Sequence, residues 1–262
     1  YKMITFNKEQ QVFHLCNNQI SYLIEVEEHG YLAHLYFGKK INHYSGHYQY
    51  VRDMRSFGPY PEAADHDTFS LDTVMLEYPG YGFGDFREPA YNFKLKDGSR
   101  ITDFRYDSFE IVQGKCAIEG LPHLYTNQAT EAETLIITLK DDVAQLRLKL
   151  NYTIYQDYAT VIRSTTLIND SAETVEINQL ASQSLDFPNR SFELIHLNGA
   201  WGRERQLTRE KIEIGTKVLD SKRGSSSHHQ NPFVTLVEPT TTEFQGEAYG
   251  FCLVYSGNHQ TV

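Results

Sequence analysis

The sequence is dominated by short runs of alternating apolar and polar residues separated by turn-forming residues. In the clearest run, Leu146, Leu148, Leu150, Tyr152 and Ile154 occupy every second position. Side chains two positions apart lie on one face of a β-strand, so these residues would share a buried face. No window combines helical apolar spacing with capping residues. The many short strands therefore predict an all-β fold of two stacked antiparallel sheets.

Turn signals between these runs indicate which strands pair. Hairpins are predicted from residues 19–27 with 31–37, 91–96 with 100–106, 133–140 with 143–155, and 160–168 with 174–184. Asp97-Gly98, inside the second of these, is the strongest short hairpin signal in the chain. Further strands are predicted at residues 191–197, 211–218, 233–237 and 249–255. Residues 41–89 and 199–231 lack the alternation, and long loops on a β scaffold are usually functional or lie at an interface.

Composition limits the class of protein. The 262 residues are 40% hydrophobic, which suffices for one large β domain or two smaller ones. A net charge of −10 argues against nucleic acids and anionic membranes as partners. There is no apolar run long enough to span a bilayer and no signal segment at the start. Cys16, Cys116 and Cys252 are odd in number and far apart, which argues against a disulfide framework or a zinc site, so we expect a protein of the reducing cytoplasm.

The last segment, residues 249–262, has the pattern of a strand followed by a turn. A strand in an antiparallel sheet needs a partner, and none follows this turn in the sequence. We therefore expect the chain to be part of a longer protein.

Trp201 is the only tryptophan, and it lies between Gly199 and Gly202 in the segment L-N-G-A-W-G-R-E-R at residues 197–205. An indole offers a flat apolar face that suits the C–H face of a sugar ring. The glycines free the backbone, and Arg203, Glu204 and Arg205 could hold the loop or reach sugar hydroxyls. The alternative is a core tryptophan beside a turn, because tryptophan is usually largely buried.

Several carboxylates and histidines are candidates for catalytic or metal-binding groups. The carboxylates near aromatic residues are Asp53, Asp65, Asp67, Asp72, Glu77 and Asp85; the histidines are His34, His66, His196, His228 and His229. Glycoside hydrolysis needs two carboxylates that flank one bond, and the spacing identifies no such pair. Acidic loop residues are more often solvated or cap turns. Because the histidines lack ligand spacing, we expect no metal and no cofactor.

Ten motifs follow one another along the chain, and together they are highly specific although each alone is weak. They are G-Y-L-A-H-L-Y-F-G at 30–38, F-S-L-D-T at 69–73, E-Y-P-G-Y-G at 77–82, D-F-R-E-P-A-Y at 85–91, G-L-P at 120–122, E-A-E-T-L at 131–135, S-L-D-F-P at 184–188, H-L-N-G-A-W-G-R-E-R at 196–205, S-K-R-G-S-S-S-H-H-Q-N-P-F at 221–233 and G-E-A-Y-G-F at 246–251. Over almost its whole length, the chain resembles the N-terminal β-supersandwich domain of bacterial family 36 glycoside hydrolases. These enzymes are retaining α-galactosidases.

The resemblance implies that residues 1–262 form this N-terminal domain and that a catalytic (β/α)8 barrel follows Val262. Both catalytic aspartates of the family lie on the barrel, so no catalytic residue is expected here. The substrates would be α-galactosides of the melibiose and raffinose type. Family members are commonly tetramers in which the N-terminal domain of one subunit closes the active site of its neighbour.

The resemblance also implies two substrate-binding residues. Trp201 matches the family tryptophan that contributes to the galactose site. Asp53, in the segment R-D-M-R-S-F-G-P at 52–59, matches an aspartate that contacts galactose hydroxyls, although its spacing to the following arginine is one residue longer than in many relatives. A carboxylate beside an aromatic face would select and position a sugar rather than supply chemistry.

Two other functions fit parts of the same pattern. A non-catalytic carbohydrate-binding module would share the β-sandwich and Trp201, and would bind sugar as an isolated monomer. A mutarotase-like sugar epimerase would need a histidine and a carboxylate that face one cavity, with His34 or His196 as the histidine.

Overall fold

The chain folds almost entirely into β-strands. The structure is a computed structural model that describes residues 2–46, 68–188, 190–226 and 228–262. Within these ranges there are sixteen strands: β1 (Ile4–Asn7), β2 (Val12–Cys16), β3 (Ile20–Val26), β4 (Leu32–Lys39), β5 (Tyr91–Lys94), β6 (Arg105–Gln113), β7 (Ala132–Asp141), β8 (Leu146–Tyr155), β9 (Val161–Asn169), β10 (Glu176–Leu180), β11 (Glu193–Ala200), β12 (Arg203–Lys211), β13 (Leu219–Ser221), β14 (Gln230–Val237), β15 (Ala248–Cys252) and β16 (His259–Thr261). Single 3₁₀ turns span Leu71–Thr73 and Ala129–Glu131. None of the helices in these ranges has the length or apolar character needed to cross a membrane.

Residues 1–116 and 126–187 form the first unit. Its strands make two four-stranded sheets, β1-β2-β3-β4 and β6-β7-β8-β9, and a two-stranded ribbon of β5 and β10. Every pairing within these sheets is antiparallel. The inner faces of the two large sheets and the ribbon contribute to one apolar core. This two-layer antiparallel arrangement confirms the all-β supersandwich prediction.

Alternation along β8 places the side chains of the first unit's core. Leu146, Leu148, Leu150, Tyr152 and Ile154 are all fully buried, as the period of two predicts. The positions between them near the start of the strand are partly exposed. On the facing sheet the same core contains Phe13, Leu15 and Ile24.

Residues 117–125 and 188–262 form the second unit. A four-stranded sheet of order β12-β11-β14-β15 is accompanied by a ribbon of β13 and β16. Leu194, Leu219 and Val234, one from each of β11, β13 and β14, form its small core. β12 is an outer strand of its sheet, and most of its residues are exposed on both faces.

The hairpins predicted for residues 19–37 and 133–155 are confirmed as β3–β4 and β7–β8. The predicted hairpins of residues 91–96 with 100–106 and of residues 160–168 with 174–184 are wrong. The strand β5 of the first and the strand β10 of the second pair with each other instead. Asp97-Gly98 does turn the chain, with the Gly98 amide donating to the Leu95 carbonyl at 2.9 Å. A turn signal specifies a local reversal only, whereas the partner strand is the one that completes the buried face.

The predicted strand at 211–218 and the irregular stretch at 199–231 are also wrong in detail. β12 occupies Arg203–Lys211 inside that stretch, and residues 212–218 contain no strand. β12 buries neither face, so the apolar alternation that identifies strands is missing from its sequence.

We predict that Leu150→Ala lowers the free energy of unfolding by about 3 kcal/mol, because it leaves a cavity in a fully packed core. The matched control is Val143→Ala, in the exposed β7–β8 turn, where the change should stay within about 0.5 kcal/mol. Urea denaturation of both variants measures the difference. Equal effects would show that the core is not packed as described.

Candidate functional site

Trp201 lies at the tip of the hairpin formed by β11 and β12. Ala200 pairs with Arg203, so Trp201 and Gly202 form a two-residue turn between the strands. The Trp201 side chain is 89% exposed. The alternative of a core tryptophan is therefore wrong: the indole face is open to a ligand.

Three hydrogen bonds hold the backbone at this tip. The Gly202 amide donates to the Glu204 carboxylate at 2.8 Å. The Gly199 amide donates to the His229 carbonyl at 3.0 Å, and the Arg205 amide donates to the His228 carbonyl at 3.3 Å. The first bond ties the turn to the side chain of Glu204 in the same hairpin. The other two tie the hairpin to the neighbouring segment before β14.

Of the three charged residues expected to hold the loop or reach sugar hydroxyls, Glu204 holds the loop and the two arginines do not. Among the residues that the structure describes, neither the Arg203 nor the Arg205 guanidinium makes a hydrogen bond or an ion pair. Both side chains are exposed. They remain available to a ligand or partner, while Glu204 and the two carbonyls hold the tip.

The backbone of the hairpin end depends on glycine at two positions. A Cβ at Gly199 would lie 2.2 Å from the Arg203 carbonyl oxygen, so the two strands could not approach this closely with any other residue. Gly202 has a φ of +74°, in the left-handed region that favours glycine. Arg205 also has a positive φ, +51°, where the ladder skips a residue.

Electrostatics at the tip favour a charged Glu204. The bond from the Gly202 amide, followed by one from its own amide, holds the pKa of Glu204 below its ordinary value, with smaller contributions from His228 and His229. Partial burial, Arg223 and His228 lower the pKa of His229. The two imidazole rings lie 4.3 Å apart. In the described ranges no three His, Cys, Asp or Glu side chains are arranged to hold a metal ion.

Asp53, the second predicted substrate-binding residue, lies outside the described residues, as do Asp65, His66 and Asp67. Its role in binding substrate therefore stays a prediction.

Glu77 is the centre of a buried polar cluster in the first unit. Its Oε1 accepts hydrogen bonds from the hydroxyls of Tyr22 at 2.5 Å and Tyr152 at 2.9 Å. The same oxygen lies 3.0 Å from Nη1 of Arg163, and Oε2 lies 2.9 Å from Nδ1 of His34. Glu77 is fully buried, so the expectation of a solvated or turn-capping carboxylate is wrong here.

Ionisation of Glu77 depends on these partners. Burial alone raises the pKa of Glu77, but Arg163, His34 and Tyr22 together outweigh it and hold the pKa below its ordinary value. Arg163 also stacks on the Tyr152 ring, with its guanidinium carbon 4.0 Å from the ring centroid. Each oxygen of the Glu77 carboxylate has a partner, as a buried charge requires, whereas Nε of Arg163 is buried without a hydrogen bond among the described residues.

Asp85, the other carboxylate expected to be solvated, is also buried. It accepts the Arg87 backbone amide and a two-pronged bond from the Arg87 guanidinium. Arg87 reaches on to Asp186 at 2.7 Å. Among the described carboxylates, exposed Asp72 behaves as expected and accepts from Ser70 at the 3₁₀ turn, and Asp85, although not solvated, caps a turn by accepting the amide two residues on.

Each of the two histidines considered for an epimerase is paired with a carboxylate of the fold. His34 is buried against Glu77. His196 is buried and lies 2.8 Å from Glu210, and Glu210 also binds Lys217. A cavity of about 30 Å³ in the first unit has room for a water molecule and not for a sugar ring. It is lined by Tyr31, Leu32, Leu71, Leu76, Tyr78, Gly80, Phe83, Tyr91, Thr102, Asp103, Phe104 and Leu139, and therefore by neither histidine.

Comparison with known proteins agrees with the motifs. Residues 30–262 match the family described as "Glycosyl hydrolase family 36 N-terminal domain". The chain belongs to this family. Alpha-galactosidase Mel36A of Lactobacillus acidophilus is 45% identical over 259 residues, which is 98% of this chain and 35% of that protein. The family 36 chain thus spans about a third of the length of the relatives it matches.

Solved structures of the family share the fold. The crystal structure of alpha-galactosidase AgaB from Geobacillus stearothermophilus superposes with a TM-score of 0.92 at 43% identity, covering 98% of this chain and 35% of that chain. A variant of alpha-galactosidase AgaA from the same organism, in complex with raffinose, superposes with a TM-score of 0.90 at 44% identity. The match covers 95% of this chain and 35% of that chain.

We predict that Glu77→Gln lowers the free energy of unfolding by about 3–5 kcal/mol, because it leaves Arg163 buried without its counter-ion. Glu110→Gln, on an exposed position of β6, is the control and should change it by less than about 0.5 kcal/mol. Thermal or urea unfolding near neutral pH measures both.

The pH dependence provides a second test of the same cluster. The pKa of Glu77 is lower in the folded protein than in the unfolded chain. Ionised Glu77 therefore stabilises the fold at a pH above its unfolded-state pKa, and this stabilisation is lost as the pH falls through its folded-state pKa. The parent should therefore lose stability in acid more steeply than Glu77→Gln. Parallel curves would contradict an ionised Glu77.

Proposed function

We propose that this chain is the N-terminal domain of a retaining α-galactosidase that hydrolyses terminal α-galactosides of melibiose- and raffinose-type oligosaccharides. The support is its membership of family 36, together with relatives that are alpha-galactosidases and one relative with raffinose bound. In this proposal both catalytic carboxylates belong to a barrel that follows Val262. The reaction uses no cofactor, since two carboxylates suffice for retaining hydrolysis.

Trp201 would form part of the galactose site. The observation that carries this role is an indole that is 89% exposed on a hairpin whose backbone is fixed by three hydrogen bonds. An exposed aromatic face packs on the apolar face of a sugar, and a fixed backbone lowers the entropy lost on binding. Asp53 would bind galactose hydroxyls.

This domain would also support assembly into a homotetramer, with the hairpin closing a neighbour's active site. Leu207, Ile212 and Ile214 are exposed on β12 and the segment after it. Apolar side chains grouped along an outer strand are typical of a protein interface. The residues concerned fall within 199–231; the other predicted contact region, 41–89, is only partly described.

A cytoplasmic location is consistent with the thiols. Cys116 and Cys252 are exposed and free. Exposed unpaired cysteines persist in a reducing compartment.

We predict that Trp201→Ala lowers kcat/KM of the α-galactosidase that contains this chain. The decrease should correspond to a loss of about 1–3 kcal/mol of transition-state stabilisation, because one aromatic stack is lost. Because the ring is exposed, the melting temperature should hardly change. Phe244→Ala removes another exposed aromatic ring of the same unit and serves as control. A normal kcat/KM in the Trp201 variant would remove this residue from the site.

For assembly, we predict that Ile214→Asp dissociates the enzyme, because a charge would be buried in an apolar interface. The control is Val143→Asp, which places the same charge on an exposed turn of the first unit. Light scattering gives the mass of each variant. A parent enzyme that is monomeric and fully active would disprove this role.

A further inference from the structure

The direction of the Trp201 ring depends on the backbone beneath it. A side chain that is 89% exposed has little packing to fix its orientation. The ladder ends at the pair Ala200 and Arg203, so the turn amide of Gly202 falls outside it. Whatever binds this amide therefore sets the geometry of the turn that carries the ring.

Glu204 is the group that binds it. Its carboxylate accepts the Gly202 amide at 2.8 Å, reaching back across the turn from the second residue of β12. The bonds from Gly199 and Arg205 to the segment before β14 hold the base of the hairpin, one step further from the ring. Among the described residues, Glu204 is thus the one side chain that donates or accepts a hydrogen bond at the turn itself.

We propose that Glu204 is a positioning residue for Trp201: it fixes the turn so that the indole face is presented in one orientation. This inference rests on the proposed role of Trp201 in sugar binding. Glu204 need not touch the sugar, and it acts through the turn amide alone. The neighbouring Arg203 and Arg205 lack bonds of this kind within the described ranges.

The structure suggests which variants separate this role from others. Glu204→Ala removes the acceptor, whereas Glu204→Gln keeps an oxygen that can accept the same amide and removes only the charge. Glu213→Ala is the matched control, because Glu213 is also exposed in the second unit and has no hydrogen bond among the described residues.

The first experiment uses the 262-residue chain, in which Trp201 is the only tryptophan. Time-resolved fluorescence anisotropy then reports the motion of this one ring on the nanosecond scale of loop motion. We expect Glu204→Ala to raise the amplitude of the fast component, while Glu204→Gln and Glu213→Ala resemble the parent. An unchanged anisotropy in Glu204→Ala would overturn the proposal.

The second experiment is a double-mutant cycle in the α-galactosidase that contains the chain. Glu204→Ala should lower kcat/KM by about fivefold, the factor that corresponds to one net hydrogen bond, with Glu204→Gln restoring most of it. In a Trp201→Ala background the same substitution should have no further effect, because Glu204 acts through the ring. Additive effects would overturn a positioning role.

The two experiments distinguish failure of this inference from failure of the proposed function. If Trp201→Ala leaves kcat/KM unchanged, the sugar-binding role is wrong, and the anisotropy alone decides whether Glu204 orders the ring. If Trp201→Ala lowers kcat/KM while Glu204→Ala leaves both measurements unchanged, the sugar site stands and the positioning role is refuted.

Discussion

The buried carboxylate of Glu77 is the interaction on which the first unit depends. Two of its partners, Tyr22 and His34, lie on β3 and β4 of one sheet, and the other two, Tyr152 and Arg163, lie on β8 and β9 of the facing sheet. Apolar contacts would tolerate many sliding arrangements of two sheets. A buried ion pair whose carboxylate is bonded from both sheets tolerates few, so it specifies one packing even where its net contribution to stability is small.

The fold could be predicted from sequence where burial is one-sided and pairing is local. The alternation that ends at Ile154 gave the correct buried face of β8, and the short turn at Asp141 gave its partner. The Asp97-Gly98 signal failed because the partner of β5 lies more than eighty residues away, between Glu176 and Leu180. β12 was missed because an outer strand with two exposed faces has no apolar alternation to detect.

The candidate site divides in the same way. Trp201 is recognisable because its type and its flanking glycines are local features. Glu204 is recognisable as a residue that holds the loop, since an acceptor two positions after a turn glycine is also a local signal. The role of Glu77 is not recognisable in this way. Its partners Tyr22, His34 and Tyr152 lie 55, 43 and 75 residues away, so nothing near Glu77 indicates that its charge is compensated.

Among the described residues β12 pairs on one side only, and this edge has a consequence for the chain in solution. A strand with unpaired backbone groups can add to the edge of another molecule's sheet, and this is a common route to aggregation. Charged residues occupy most of β12: Arg203, Glu204, Arg205, Arg209, Glu210 and Lys211. Charges on an edge discourage strand addition by molecules in the wrong register. The same strand that exposes apolar Leu207 thus carries its own protection against unselective association.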